Sequence, residues 1–143
     1  MQIQDLVVDV EQEVEIAAPR SVAFDALVLE LTEGHLGQND TPLPLELERK
    51  PGGRWFRNLG EGRGHFWGFI QSIREPDLLE ITGPLFMSYP VSNHLIFRLE
   101  EIEQGTLLRF RHRALGLIEE QHREGVVIGW NRMLEKVRTR ASA

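Results

Sequence analysis

A chain of 143 residues is one domain's worth of sequence, long enough to bury roughly two-thirds of its unfolded surface on folding. Its net charge of -6, from 16 basic and 22 acidic residues, lacks the clustered basic footprint that a nucleic-acid surface needs. With no cysteine, a disulfide scaffold, a thiolate zinc site and a cysteine nucleophile are excluded together.

From Met1 to Glu15 the chain is acidic and alternating, with no basic or apolar segment of the secretory kind. The longest apolar runs, such as Ala26 to Leu29, are too short to span a bilayer, so the expected address is cytoplasmic. The sequon Asn39-Asp40-Thr41 then counts as chance. Val8, Val10, Val14 and Ile16 alternate with Asp9, Glu11, Glu13 and Glu15, which predicts a half-buried strand. Pro19 suits the first turn of a helix, and Val22, Ala23, Ala26, Leu27 and Glu30 keep helical spacing to about Leu31. Thr32 to Pro44, rich in glycine and proline, reads as a loop or a short second helix.

Leu45–Arg49 and Arg54–Asn58 flank the turn Pro51-Gly52-Gly53 and read as a hairpin. A long strand is expected over Gly64–Arg74 and a shorter one over Leu78–Thr82. Asn93–Glu101 and Thr106–Arg113 form a last hairpin across Gly105, with Leu95, Phe97 and Leu99 on one face and Leu108, Phe110 and His112 on one face. Over Glu119 to about Arg138, Val126, Trp130, Met133, Leu134 and Val137 make one apolar stripe on an amphipathic helix. Twenty such residues reach about 30 Å, enough to cross the domain. The order is strand, helix, six antiparallel strands, long helix: a two-layer α+β answer to burial, in one domain over residues 1–143.

Motifs that carry chemistry are few. Gly60-Glu61-Gly62-Arg63-Gly64 is followed by a strand, not by the helix N-terminus that a phosphate cradle needs, and reads as a β-turn. His35, His65, His94, His112 and His122 show no ligand spacing, so no metal and no other cofactor is expected. His112 shares alternation with Leu108 and Phe110 and should point inward, as a core histidine, a polar anchor or a proton carrier. Trp55, Phe97, Phe110 and Trp130, from four separate elements, are placed to meet between sheet and helix. They make either a core or the wall of an apolar cavity.

The element order and several local signatures together resemble the START-like (SRPBCC, or helix-grip) superfamily, and within it the branch of the activator of heat-shock protein 90 ATPase. The matching residues are Ile16-Ala17-Ala18-Pro19 leading into Val22 and Ala26, the turn Pro51-Gly52-Gly53-Arg54-Trp55, and Gly68-Phe69-Ile70 running to Glu75-Pro76 and Leu79. Gly105-Thr106 and Gly129-Trp130 with Met133-Leu134 complete the match, which spans about the whole chain. It implies a curved antiparallel sheet of about seven strands wrapped around the long C-terminal helix. It also implies that first and last strands are neighbours, which would set Arg109, Arg111 and Arg113 on the same outer face as Glu11, Glu13 and Glu15. Two segments depart from the branch: Glu33-Gly34-His35-Leu36-Gly37 stands where a tryptophan-containing stretch is expected, and Gly83 to Pro90 is unusually apolar. Both lie where a cavity mouth would be.

The family signature turns Gly68 and Ile70 inward, which would leave Trp67 and Phe69 as an outer patch suited to a homodimer or another protein partner; with Trp67 inward, the outer face is ordinary. The expected function is non-enzymatic binding of an apolar or amphipathic small molecule, lipid-like or polyketide-like. Trp55, Phe97, Leu108, Phe110, Trp130 and Met133 would line the site, His112 and Tyr89 would be polar anchors, and the loop from Gly83 to Ser92 would be a lid. Two alternatives stay open. One is a cyclase or hydratase using His112 as general base with a nearby acid; the other is a docking module acting through Trp67, Phe69 and Phe86.

Overall fold

The computed structural model describes residues 2–143. Seven strands form one antiparallel sheet: β1 (Val7–Ile16), β2 (Glu46–Leu47), β3 (Arg54–Gly60), β4 (Arg63–Arg74), β5 (Leu78–Gly83), β6 (Val91–Ile102) and β7 (Gly105–Gly116), in the spatial order β1-β7-β6-β5-β4-β3-β2. Helix α1 (Arg20–Leu31) follows β1, and α2 (Glu120–Ala141) ends the fold. Both helices occupy the concave side, where α2 packs on α1 and on β1. The alternation of β1, β6 and β7 and the stripe of α2 all resolve as expected. Val8, Val10, Val14 and Ile16 are buried, as are Leu95, Phe97 and Leu99, and Val126, Trp130, Met133, Leu134 and Val137. No helix is long and apolar enough to cross a membrane among the described residues.

Of the two readings for residues 32–44, the loop forms, with one short 3-10 turn at Gln38–Asp40. Two local expectations change. The strand expected at Leu45–Arg49 shrinks to Glu46–Leu47. The orientation of Trp67 is the larger correction. Trp55 opposes Gly68 while Phe56 opposes Phe66, so Trp67 is the extra residue of a β-bulge. A bulge shifts the in–out alternation by one residue, and Trp67 and Gly68 therefore both face the interior. Trp67 is 5% exposed, whereas Phe69 is 51% exposed and lies against Phe66 at 4.6 Å between ring centroids. The outer Trp67–Phe69 patch does not form.

The outer-face ladder between β1 and β7 does form. Glu13 faces Arg109, Glu11 faces Arg111 and Asp9 faces Arg113. Arg111 bonds Asp9 at 2.7 Å and reaches Glu11 at 3.2 Å, while Arg109 lies 3.7 Å from Glu13 and 3.5 Å from Glu100. Such exposed pairs are each worth about 0–1 kcal/mol, and they engage Arg109 and Arg111 of the run.

Candidate functional site

The residues expected to line a cavity do converge, but they fill the space they enclose. Trp55, Phe97, Leu108 and His112 have no exposed surface, and Phe110, Trp130 and Met133 are buried beside them. Ring centroids lie 4.8 Å apart for Phe97 and Phe110, and 4.7 Å for Phe110 and Trp130, which is ordinary contact between packed aromatics.

His112 stands in this apolar interior with both nitrogens engaged. The Trp130 Nε1–H donates to its Nδ1 at 3.0 Å, so the ring proton sits on Nε2, which donates to Asn93 Oδ1 at 2.7 Å. Burial pushes its pKa down to about 4. No acid is among its hydrogen-bond partners, and its one lone pair is taken, so it lacks what a general base needs. Asn93, buried on β6, was not singled out from the sequence, although it alternates in step with Leu95, Phe97 and Leu99.

A second aromatic array lies at the opposite end from the β6–β7 turn. His35, in the loop after α1, meets Trp67 edge-on at 5.3 Å and Trp55 at 6.4 Å. Trp67 also meets Trp55 at 5.1 Å, His65 at 6.1 Å and Phe86 at 6.1 Å. Phe86 then meets His122 of α2 edge-on at 5.0 Å, and Tyr89 stacks on His122 at 5.6 Å. The Trp55 Nε1–H donates to the Leu31 carbonyl at 2.8 Å and so fixes the wall to the end of α1. Burial holds the His35 imidazole below its ordinary pKa.

Tyr89 and His122 form the polar corner of this array, 2.6 Å apart between Oη and Nδ1. The Glu119 N–H donates to Tyr89 Oη at 3.4 Å, and Tyr89 Oη and His122 Nδ1 share one hydrogen bond. Tyr89, expected to anchor a ligand, is hydrogen-bonded within the protein to His122. The signal for His122 was present: it lies four residues before Val126 and eight before Trp130, on the edge of the buried stripe.

From His122 one face of α2 continues through Gly125, Gly129, Arg132 and Lys136, at helical spacing. At its far end this face is tied to the loop after α1. Arg132 pairs with Asp40, and Lys136 donates to the Gly34 carbonyl at 3.2 Å and lies 3.4 Å from the buried Glu30 carboxylate. Between these ties and His122 it is bare, since a Cβ built at Gly125 or Gly129 would meet nothing within 4 Å. One turn further on, a groove of about 510 Å³ opens between Leu36, Asp40 and the Asn131–Lys136 stretch of α2. Phe86, against Trp67 and His122, is partly exposed, and Leu85 beside it is fully buried with φ +57°, a left-handed conformation costly for a leucine.

A curved seven-stranded antiparallel sheet closed over a long C-terminal helix defines the helix-grip, START-like class of α+β proteins. Within it, the chain belongs to the family of activator of Hsp90 ATPase homolog 1-like proteins, whose model matches residues 17–141. No curated protein matches the sequence. Solved structures with the same fold include an uncharacterized protein from Rhizobium leguminosarum, with TM-score 0.73, 15% identity and 94% of each chain covered. Another is protein SA2116 of unknown function from Staphylococcus aureus, with TM-score 0.66, 16% identity, and 94% of this chain and 93% of that one covered. CalU16 from Micromonospora echinospora shares 22% identity over 95% of this chain and 76% of its own, with TM-score 0.59.

Proposed function

We propose that the protein binds an apolar or amphipathic small molecule, without transforming it, on the open surface where Phe86 and His122 meet the bare face of α2. One observation carries this reading: the wall of His35, Trp55, Trp67, Phe86 and His122 runs directly into a helix face where two glycines leave open space. Interior helical glycine costs about 1 kcal/mol relative to alanine, and no packing within the protein makes use of the gap at either position. A ligand laid against the exposed part of Phe86 would bury apolar surface at roughly 25 cal/mol per Å² before binding costs. His122 Nε2 supplies one hydrogen-bonding atom for that ligand. The filled core beyond supports a site at the mouth rather than a deep cavity.

Native mass spectrometry of the purified protein, with and without denaturing extraction, tests this. A retained small molecule that is lost in the doubly substituted Gly125→Leu, Gly129→Leu protein, still folded by circular dichroism, is the expected result. A ligand-free spectrum combined with no uptake of 8-anilinonaphthalene-1-sulfonate would overturn it. A second reading, docking on a protein partner or a second copy, draws on the exposed Phe69 beside Phe66 and on the half-exposed Phe86. Its signature is a dimer or complex that Phe69→Ser dissociates.

A further inference from the structure

The hydrogen bonds of His112 belong to a longer chain that crosses the whole interior. Trp130 on α2 donates to His112 on β7 at 3.0 Å, and His112 donates to Asn93 on β6 at 2.7 Å. Asn93 Nδ2 in turn donates to the Pro84 carbonyl at 3.2 Å and to Met87 Sδ at 3.7 Å, both in the loop between β5 and β6. Every donor points the same way, from helix to loop, and every polar side-chain atom along the path is used. The surroundings are apolar: Leu85, Met87, Leu95, Phe110 and Ala114 are all buried.

We infer that this relay couples the β5–β6 loop to the N-terminal half of α2, so that lid and gripping helix open and close as one unit. The physical reason is the cost of a broken link. Withdrawing Trp130 strips His112 Nδ1 of its donor, and lifting the loop strips Asn93 of its acceptors, in each case among buried apolar side chains that offer no replacement partner. Because bonds linked in one chain polarise one another, losing one weakens the next, and either movement makes the other easier. The loop is suited to leave, because Leu85 is held at φ +57° by the Leu85 N–H bond to the Trp67 carbonyl at 2.9 Å and by burial of its side chain. At the surface the same two elements touch again through Phe86 and Tyr89 against His122. The inference holds whether or not a ligand uses the open surface, and a molecule that wedged α2 away from the wall would release the lid with it.

Amide hydrogen exchange on the full chain tests the coupling without a ligand. Trp130→Phe keeps an aromatic ring and removes the one N–H that starts the relay. Val137→Ala is the control: it removes buried apolar contacts of the same helix and breaks no hydrogen bond of the relay. At matched global stability, set with urea, Trp130→Phe should speed exchange of the Leu85 and Met87 amides by about 5- to 150-fold over the control, the range of an ordinary coupling between two sites. The β1–β7 ladder amides, such as Val10, should exchange alike in both proteins. Equal loop exchange in the two variants, or an acceleration that the β1–β7 ladder shares, overturns the inference. Asn93→Leu gives a second reading from the other end: it should loosen the Trp130 side chain, seen as a red-shifted, more quenchable indole emission relative to wild type. An unchanged emission in folded Asn93→Leu also counts against the coupling.

Discussion

The Trp130 indole donates its N–H to His112 Nδ1 at 3.0 Å, so the buried imidazole is neutral and carries its proton on Nε2. The sign of its pH dependence follows. Burial lowers its pKa from 6.5 to about 4 in the folded protein, so between those values the unfolded chain takes up a proton that the folded one does not. Its contribution is fully present above about pH 6.5 and is lost as pH falls toward 4. At 1.36 kcal/mol per pKa unit the whole effect is about 3 kcal/mol. His35, lowered by burial too, acts in the same direction. Urea midpoints should fall from pH 7 to pH 5 in the wild type, and fall less steeply in His112→Gln, which loses this titration and keeps that of His35. Identical slopes would mean the imidazole is not buried as described.

Gly129→Ala should stabilise the protein by about 1 kcal/mol, because the added methyl raises helix propensity and meets nothing within 4 Å. For a chain of this size that is a rise in melting temperature of about 3 °C. Thermal unfolding by circular dichroism checks it, and a decrease would show that protein atoms already occupy the space proposed for a ligand.

Gly83→Ala should do the reverse. A Cβ there would stand 2.4 Å from Gly68 Cα and 2.5 Å from the Trp67 carbonyl oxygen, both main-chain atoms of the neighbouring strand that cannot swing aside. A cost of about 1–3 kcal/mol is expected from overpacking, together with disturbance of the bulge that turns Trp67 inward. A matching loss in the denaturation midpoint, accompanied by altered tryptophan emission, is the measurement.

Glu30→Ala should destabilise by about 1–3 kcal/mol. The carboxylate is buried between Lys136 and Arg140, each 3.4 Å away, so its loss removes the ionic tie between α1 and α2. The cost stays below that of a fully enclosed pair because both cations keep about 40% of their side chains exposed and can turn to water. Chemical denaturation at low and at high salt checks it. A neutral result at both would assign the helix–helix contact to apolar packing alone.

The fold class, the order of elements and most of the core were determined by the sequence, because period-2 and period-3.6 patterns report which side chains share a face before any strand is paired. The Leu95, Phe97, Leu99 row, the Leu108, Phe110, His112 row and the Val126–Val137 stripe were legible for that reason. Tertiary structure alone decided where those patterns break. Trp67 faces inward because β3 and β4 pair with a bulge, and from Phe66 to Ile70 the strand is apolar on both faces, so the shifted alternation cannot be read from the residues alone. The same holds for contacts between elements far apart in the chain. Asn93 bonded to His112, Tyr89 to His122 and Glu30 between Lys136 and Arg140 depend on how the helices lie across the sheet, as does the bare space at Gly125 and Gly129. Whether converging apolar residues enclose a void or fill it depends on side-chain volumes and rotamers in three dimensions. Here Phe97, Phe110 and Trp130 closed the interior and left the open space to the mouth.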